Sequence, residues 1–156
     1  MVIKVLDKLT RELYRLFHPS LWGKKLQING IPRIYGIRKL KLGKNVSLNS
    51  DCVLQCYGGI EIGDNVTISD GAKILTRSLE INDYVNNARN PERNHIDKPV
   101  NIGKGVWIAT NVIVLPGVFI GANNIIAAGS VVSRSIFEEG CLYGGIPANK
   151  IREFNS

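Results

Sequence analysis

The sequence predicts an all-β solenoid, a parallel β-helix of triangular coils, and three observations carry that prediction. Aliphatic residues return every six positions from Ile102 onward: Ile102, Ile108, Val114, Ile120, Ile126 and Val132. A small residue follows in most of these units (Gly103, Ala109, Gly121, Ala127), and the fifth place is small or medium (Val106, Val112, Val118, Asn124, Ser130). The stretch is also hostile to helix. Gly103, Gly105, Gly117, Gly121, Gly129 and Pro116 would cost a helix about 1 kcal/mol per glycine and about 3 for the proline. A sandwich would alternate with period two and turn every ~8–12 residues, and the period here is six.

The physics of such a repeat is simple. A short strand turns a corner every six residues, and three strands close a triangle. The aliphatic first residue points inward and stacks on its equivalent one coil away, about 4.8 Å along the axis. The small second residue is expected to let the backbone turn, since Gly and Asn tolerate positive φ. A column of Ile, Leu and Val then forms a core that is stable only when several coils stack.

Taken in chain order, residues 1–33 precede the repeat. Apolar positions 2, 5, 6, 9, 13, 16 and 17 have helical spacing, with Lys4, Lys8, Arg11 and Arg15 among the rest. This helix reads as a cap on the open end of the solenoid or as a basic amphipathic contact with an anionic membrane through residues 1–17. Residues 18–33 read as a Pro/Gly-rich link. The β-helix is expected over 34–137. Its first run has Leu42, Leu48 and Leu54 and, after a two-residue slip, Ile62, Ile68 and Ile74. Gly43 and Gly63 fill second places, and Val46, Cys52, Val66 and Ala72 fill fifth places. Residues 77–95 are polar, rich in Asn, and break the repeat. An excursion this long from a solenoid points to function. Ile96, with Val100 four residues on, reads as the point where the repeat resumes. Residues 138–156 form a turn-rich exit and a tail, with a helical turn or two expected over 148–154.

Composition excludes several classes. The 156 residues suit one domain, and the formal net charge of +7 fits nucleic acid, an anionic membrane or a phosphorylated ligand without choosing among them. Aromatic and basic residues do not interleave as base-stacking proteins require, so no nucleic-acid partner is expected. Cys52, Cys56 and Cys141 form no CxxC, and His18 and His95 are the only histidines, so no metal is expected and the thiols read as reduced, packed side chains. No run of about 18 apolar residues would span a membrane, and the first residues lack the apolar stretch of a secretory signal. A cytoplasmic protein is expected, with the inner membrane face as the place the N-terminal helix would take it.

Four stretches resemble the hexapeptide-repeat acyltransferases, nearest to the maltose, galactoside and polysaccharide O-acetyltransferases. Residues 98–109, KPVNIGKGVWIA, match that family's KPVxIGxxVWIG. Residues 114–121, VLPGVFIG, match ILPGVxIG; residues 126–132, IAAGSVV, match IGAGSVV; residues 144–152, GGIPANKIR, match xGxPAKxIR. The match is strong from about residue 60 onward. The resemblance implies a left-handed coil, a homotrimer, and active sites in the grooves between subunits where acetyl-CoA lies. It also implies an acceptor that is a sugar or glycan, in polysaccharide or lipopolysaccharide assembly. β-Helical carbonic anhydrases need three zinc-binding histidines, and serine acetyltransferases carry a long N-terminal helical domain; neither pattern is present.

Acetyl transfer to a hydroxyl needs a base, a donor for the developing oxyanion, and both substrates held face to face. In the resembling enzymes the base is a histidine just after an ILT-like strand, and on the stretch starting Ile74-Leu75-Thr76 that place falls at Leu79. His95, where the chain rejoins the coil, is the candidate replacement; it reads otherwise as a loop histidine without a role. His18 lies in the link. Glu80 and Asp83 are candidates for contacts with the acceptor, a carboxylate near pKa ~4 being a poor base for an alcohol. Ser69 and Asp70 fall where the family has an acceptor-contacting Asn. For acetyl-CoA, the small edge Ala109, Ala127, Ala128 and Gly129 would admit the pantetheine arm to backbone N–H groups, and Trp107 would border the groove. Lys150 and Arg152 match the family's basic tail and would hold the CoA phosphates. An amino-sugar N-acetyltransferase and a catalytically silent CoA-binding scaffold remain as alternatives.

Overall fold

The computed structural model describes Leu9, Glu12, Leu13, Leu16, and residues 26–86 and 93–154. The helix read over 2–17 and His18 therefore lie outside the described residues, apart from those four positions, which are helical and exposed.

The chain winds through about 6 turns of parallel β-helix. The first coil is β1 (Gln27–Asn29), β2 (Arg33–Tyr35) and β3 (Leu40–Leu42). The second is β4 (Ser47–Asn49), β5 (Val53–Gln55) and β6 (Ile60–Ile62). The third opens with β7 (Thr67–Ile68) and β8 (Lys73–Leu75), then leaves the coil as β9 (Arg77–Leu79), α1 (Ile81–Asn86) and β10 (His95–Asp97), and closes with β11 (Val100–Ile102). The fourth is β12 (Trp107–Ile108), β13 (Ile113–Val114) and β14 (Phe119–Ile120). Then come β15 (Ile125–Ile126) and β16 (Val131–Val132), and β17 (Cys141–Gly145), on which β18 (Ala148–Glu153) folds back antiparallel.

These strands stack into three flat faces. Face A holds β1, β4, β7, β12, β15 and β17; face B holds β2, β5, β8, β13 and β16; face C holds β3, β6, β11 and β14. The register places like on like: Ile28, Leu48, Ile68, Ile108 and Ile126 up face A; Leu54, Ile74, Val114 and Val132 up face B; Leu42, Ile62, Ile102 and Ile120 up face C. All are buried. Each such side chain contributes about 1.5–3 kcal/mol relative to an exposed one, so the three columns are the fold's main source of stability. The fifth-place residues Val46, Cys52, Val66, Ala72, Val106, Val112 and Val118 fill the corners from inside and are also buried.

Where the structure departs from the sequence reading, local geometry gives the reason. The coil starts at Gln27, seven residues before 34, because Gly30-Ile31-Pro32 is a corner of the first coil and not a link: Gly30 has φ +123°. Positive φ falls at the fourth place of the repeat and not the second, at Asn45, Asp51, Asn65, Gly71, Gly105, Asn111, Gly117, Asn123 and Gly129. The second-place glycines serve a different need, close approach. A Cβ on Gly63 would lie 2.7 Å from the Lys104 backbone nitrogen, and one on Gly103 would lie 2.8 Å from that of Ala122. Ile96 is not a coil position; it pairs with Ser78 in the excursion, and the face C column resumes with Val100 beside Ile60. The tail is strand rather than helix, since β17 offers its free edge to β18.

Candidate functional site

The excursion is a two-stranded antiparallel ribbon, β9 against β10, with α1 at its far end. Its register pairs Arg77 with Asp97, Ser78 with Ile96, and Leu79 with His95. The bonds Lys98 N–H to Thr76 O (2.8 Å) and Glu80 N–H to Asn94 O (3.0 Å) fix which pairs are hydrogen-bonded. Arg77–Asp97 and Leu79–His95 are the non-hydrogen-bonded pairs, whose side chains approach most closely and share one face of the ribbon. His95 therefore stands directly across from Leu79, on the same face as Asp97. Arg77 clasps Asp97 with both arms, Nε to Oδ1 at 2.7 Å and Nη2 to Oδ2 at 2.8 Å. That contact holds the Asp97 carboxyl below its ordinary range, with Lys39 and His95 adding in the same sense.

Glu80 and Asp83 have structural work. Glu80 caps α1, its carboxylate accepting the Asp83 N–H at 2.5 Å, and the Asp83 carboxylate accepts the Asn94 N–H at 3.2 Å. Both groups expected to meet the acceptor thus make hydrogen bonds within the excursion.

The other predicted residues gather at the corner between faces A and B. Ser69, Ala109, Ala127 and Gly144 form one column, each following a core residue of face A. Trp107 is half exposed on face A, and its indole Nε1–H donates to the buried Ser69 Oγ at 3.0 Å. Asp70, Ala128 and Gly129 are exposed at the same corner. At the C-terminal end, the Lys150 ammonium contacts the Glu138 carboxylate at 2.5 Å and Glu153 at 3.5 Å. Its pKa is raised by that Glu138 contact, so Lys150 is already charge-balanced. Arg152 lies 5.4 Å over the Phe154 ring, exposed.

The bacterial transferase hexapeptide model (six repeats) matches residues 99–134. The galactoside O-acetyltransferase of Escherichia coli K12 is 31% identical over 116 residues, covering 74% of this chain and 55% of that protein. A crystal structure of a maltose O-acetyltransferase from Clostridium difficile 630 superposes with a TM-score of 0.80 at 29% identity, covering 96% of this chain and 87% of that one. A hexapeptide-repeat acetyltransferase of Vibrio cholerae O1 biovar eltor, complexed with acetyl coenzyme A, superposes at 0.81 with 28% identity, covering 97% and 80%. The chain carries the hexapeptide repeat and is similar to hexapeptide-repeat acetyltransferases. It spans about half the length of the curated relatives it matches. As a hexapeptide-repeat protein its fold is the left-handed parallel β-helix.

Within one hexapeptide-repeat chain the candidate residues do not meet. Trp107 and the small edge sit at the corner joining faces A and B, while the ribbon carrying His95 leaves at the corner joining B and C, with the width of face B between them. A groove of about 630 Å³ lies elsewhere again, on face C along Lys41, Glu61, Asn101 and Phe119. It holds none of the predicted residues.

Of the backbone N–H groups on the predicted edge, only that of Ala128 is left unused by the coil. The N–H groups of Ser69, Ala109 and Ala127 donate to the coil above (2.9, 3.0 and 2.8 Å), and that of Gly129 donates to Thr110 O (2.9 Å). Among the described residues, the third-place N–H groups of Thr110 and Ala128 make no hydrogen bond within the chain. Thr110 had no distinguishing signal in the sequence, and the third-place N–H groups of Asp64, Lys104 and Ala122 are likewise unused within the coil. Arg134, exposed beside a pocket of about 300 Å³ that Lys150 also lines, is a second cation that was missed.

Proposed function

We propose that this chain is an acyl-CoA-dependent O-acetyltransferase acting on a sugar or glycan hydroxyl, working as a homotrimer in polysaccharide or lipopolysaccharide assembly. The observation that carries the reading is the ribbon register: His95 stands across from Leu79, the position at which the resembling enzymes hold their base. A cross-strand neighbour on the same face delivers an imidazole within a few ångströms of that place, about 4.5–5.5 Å between Cβ atoms.

In this reading acetyl-CoA lies along the small edge, its pantetheine arm against Ala109, Ala127 and Ala128. His95 of a second copy takes the proton from the acceptor hydroxyl, whose oxygen attacks the thioester carbonyl. The free Thr110 and Ala128 N–H groups are the donors suited to the oxyanion that forms. Collapse expels the CoA thiolate, which recovers the proton from the His95 imidazolium. Arg152 and Arg134 suit the CoA phosphates better than Lys150, which Glu138 already neutralises. The trimer has physical support in face B, whose outward residues include the half-buried Val53, Leu75, Ile113, Leu115 and Val131.

Thiol release from acetyl-CoA, measured with maltose and a panel of galactosides, tests the reading. Loss of a positioned base costs roughly 10²–10⁴-fold, and His95→Ala should fall in that range. Full turnover by His95→Ala would reject His95. CoA binding with no turnover on any acceptor, hydroxyl or amine, would favour the silent scaffold. Transfer to amino sugars alone would favour the N-acetyl alternative. A monomer by light scattering at micromolar concentration would remove the shared site.

A further inference from the structure

We infer that Arg77 is a positioning residue: clamped between Tyr57 on the coil and Asp97 on the opposite ribbon strand, it sets the angle at which the ribbon leaves the solenoid and so aims His95. The inference rests on the proposed role of His95 and adds to it.

A two-stranded ribbon is marginal in water and does not hold its own direction. Something at its root must. Thr76, the last residue before β9, is buried; its hydroxyl accepts the Gly58 N–H at 2.8 Å and donates to Gln55 O. The Gln55 side-chain oxygen accepts the Arg77 N–H at 3.2 Å. These bonds anchor strand β9 alone. Arg77 joins both strands to the coil. Its guanidinium carbon lies 4.2 Å above the Tyr57 ring, while its two arms hold Asp97 on β10. The main chain at Tyr57 is tied to the first coil, its carbonyl accepting from the Lys39 ammonium at 2.7 Å. His95 follows Asp97 at the two-residue step that keeps side chains on one face. A tilt of the ribbon about its root would be transmitted to the imidazole directly. A planar fork that stacks and chelates at once is a task for arginine that lysine cannot reproduce.

Two measurements on the full chain test this. The first is amide hydrogen exchange. Arg77→Gln should speed exchange of ribbon amides, Ile96 among them, about 10-fold or more, and leave the coil amides of Ile68, Ile74 and Ile108 unchanged. Tyr57→Phe, which keeps the ring, should behave as wild type, and Tyr57→Leu should follow Arg77→Gln. Unchanged ribbon exchange in Arg77→Gln overturns the clamp, whatever the activity. The second is acetyl-CoA turnover with maltose and galactosides. Displacing a catalytic group by about 1 Å costs up to ~10²-fold, so Arg77→Gln should lower kcat by roughly 10–100-fold with the KM for acetyl-CoA unchanged. In a His95→Ala background the same substitution should do nothing further. If Arg77→Gln slows that background as much as it slows wild type, the residue does not act through His95. A silent His95→Ala would count against the base, while the exchange result still reads the clamp.

Discussion

Replacing Gly63 by alanine isolates the demand that stacked coils place on the second residue of the repeat. Gly63 does not have positive φ, so the backbone tolerates alanine. What it lacks is room: the new Cβ would lie 2.7 Å from Lys104 N, 2.9 Å from Gly103 C and 3.0 Å from Lys104 Cα, all main-chain atoms. Two opposing effects set the outcome. Alanine restricts the unfolded chain and stabilises by about 0.4–1 kcal/mol. Overpacking against backbone that cannot rotate away costs about 1–3 kcal/mol. The steric cost wins, with a net loss of about 1–2 kcal/mol, or a fall in Tm of roughly 2–8 °C for a domain of this size. Gly140 is the control with the opposite balance. It has φ +67°, and a methyl added there would meet nothing within 4 Å. Gly140→Ala therefore costs conformation alone, about 1–2 kcal/mol, and Gly140→Asn recovers most of it. Urea unfolding at matched protein concentration reads all three. A Gly63→Ala chain as stable as wild type would show that the coils can separate to admit a methyl, and the close-approach argument would fail.

Other outcomes follow from named contacts. Ser69→Ala should deprive the Trp107 indole of its partner, shifting tryptophan emission and costing about 1 kcal/mol; an unchanged spectrum would mean that the bond does not hold the ring. Glu80→Ala should uncap α1 and speed exchange of its amides while coil amides stay protected, and uniform exchange would refute the cap. Burial pushes the Cys52 and Cys56 thiols up to about 12 from an ordinary 9.0. Both should resist iodoacetamide at pH 8 until the chain is unfolded. The folded chain then holds those protons more tightly than the unfolded chain. Their contribution to stability is complete below about pH 9 and is lost as pH climbs toward 12; a flat alkaline limb in urea titrations would contradict it.

The columns were legible because burial acts on one residue in six, and Ile68, Ile108 and Ile126 declare it by type alone. Ladder position was less legible where two residues satisfy one type. Gly43 and Gly105 are both glycine, yet the first avoids a clash and the second adopts φ +67°. The first coil was hidden since Gly30 and Pro32 punctuate a link and a corner alike. The β18 strand was hidden because its partner edge is made only when β17 has stacked on β15. The pairing of His95 with Leu79 depends on how many residues the tip of the ribbon uses, a quantity that no pattern in residues 81–94 encodes.

The root of the ribbon has a wider meaning. Thr76 and Lys98 are hydrogen-bonded neighbours, and the ladders pass the gap unbroken, Ile74 to Val114 on one side and Ile62 to Ile102 on the other. To the coil, the 21 residues between them are a detour that begins and ends in nearly the same spot. Chain can be lengthened, shortened or exchanged there at the cost of loop closure alone, which grows only slowly with length. The solenoid thus closes its columns without that stretch, so that selection can revise the ribbon without reopening the problem of folding.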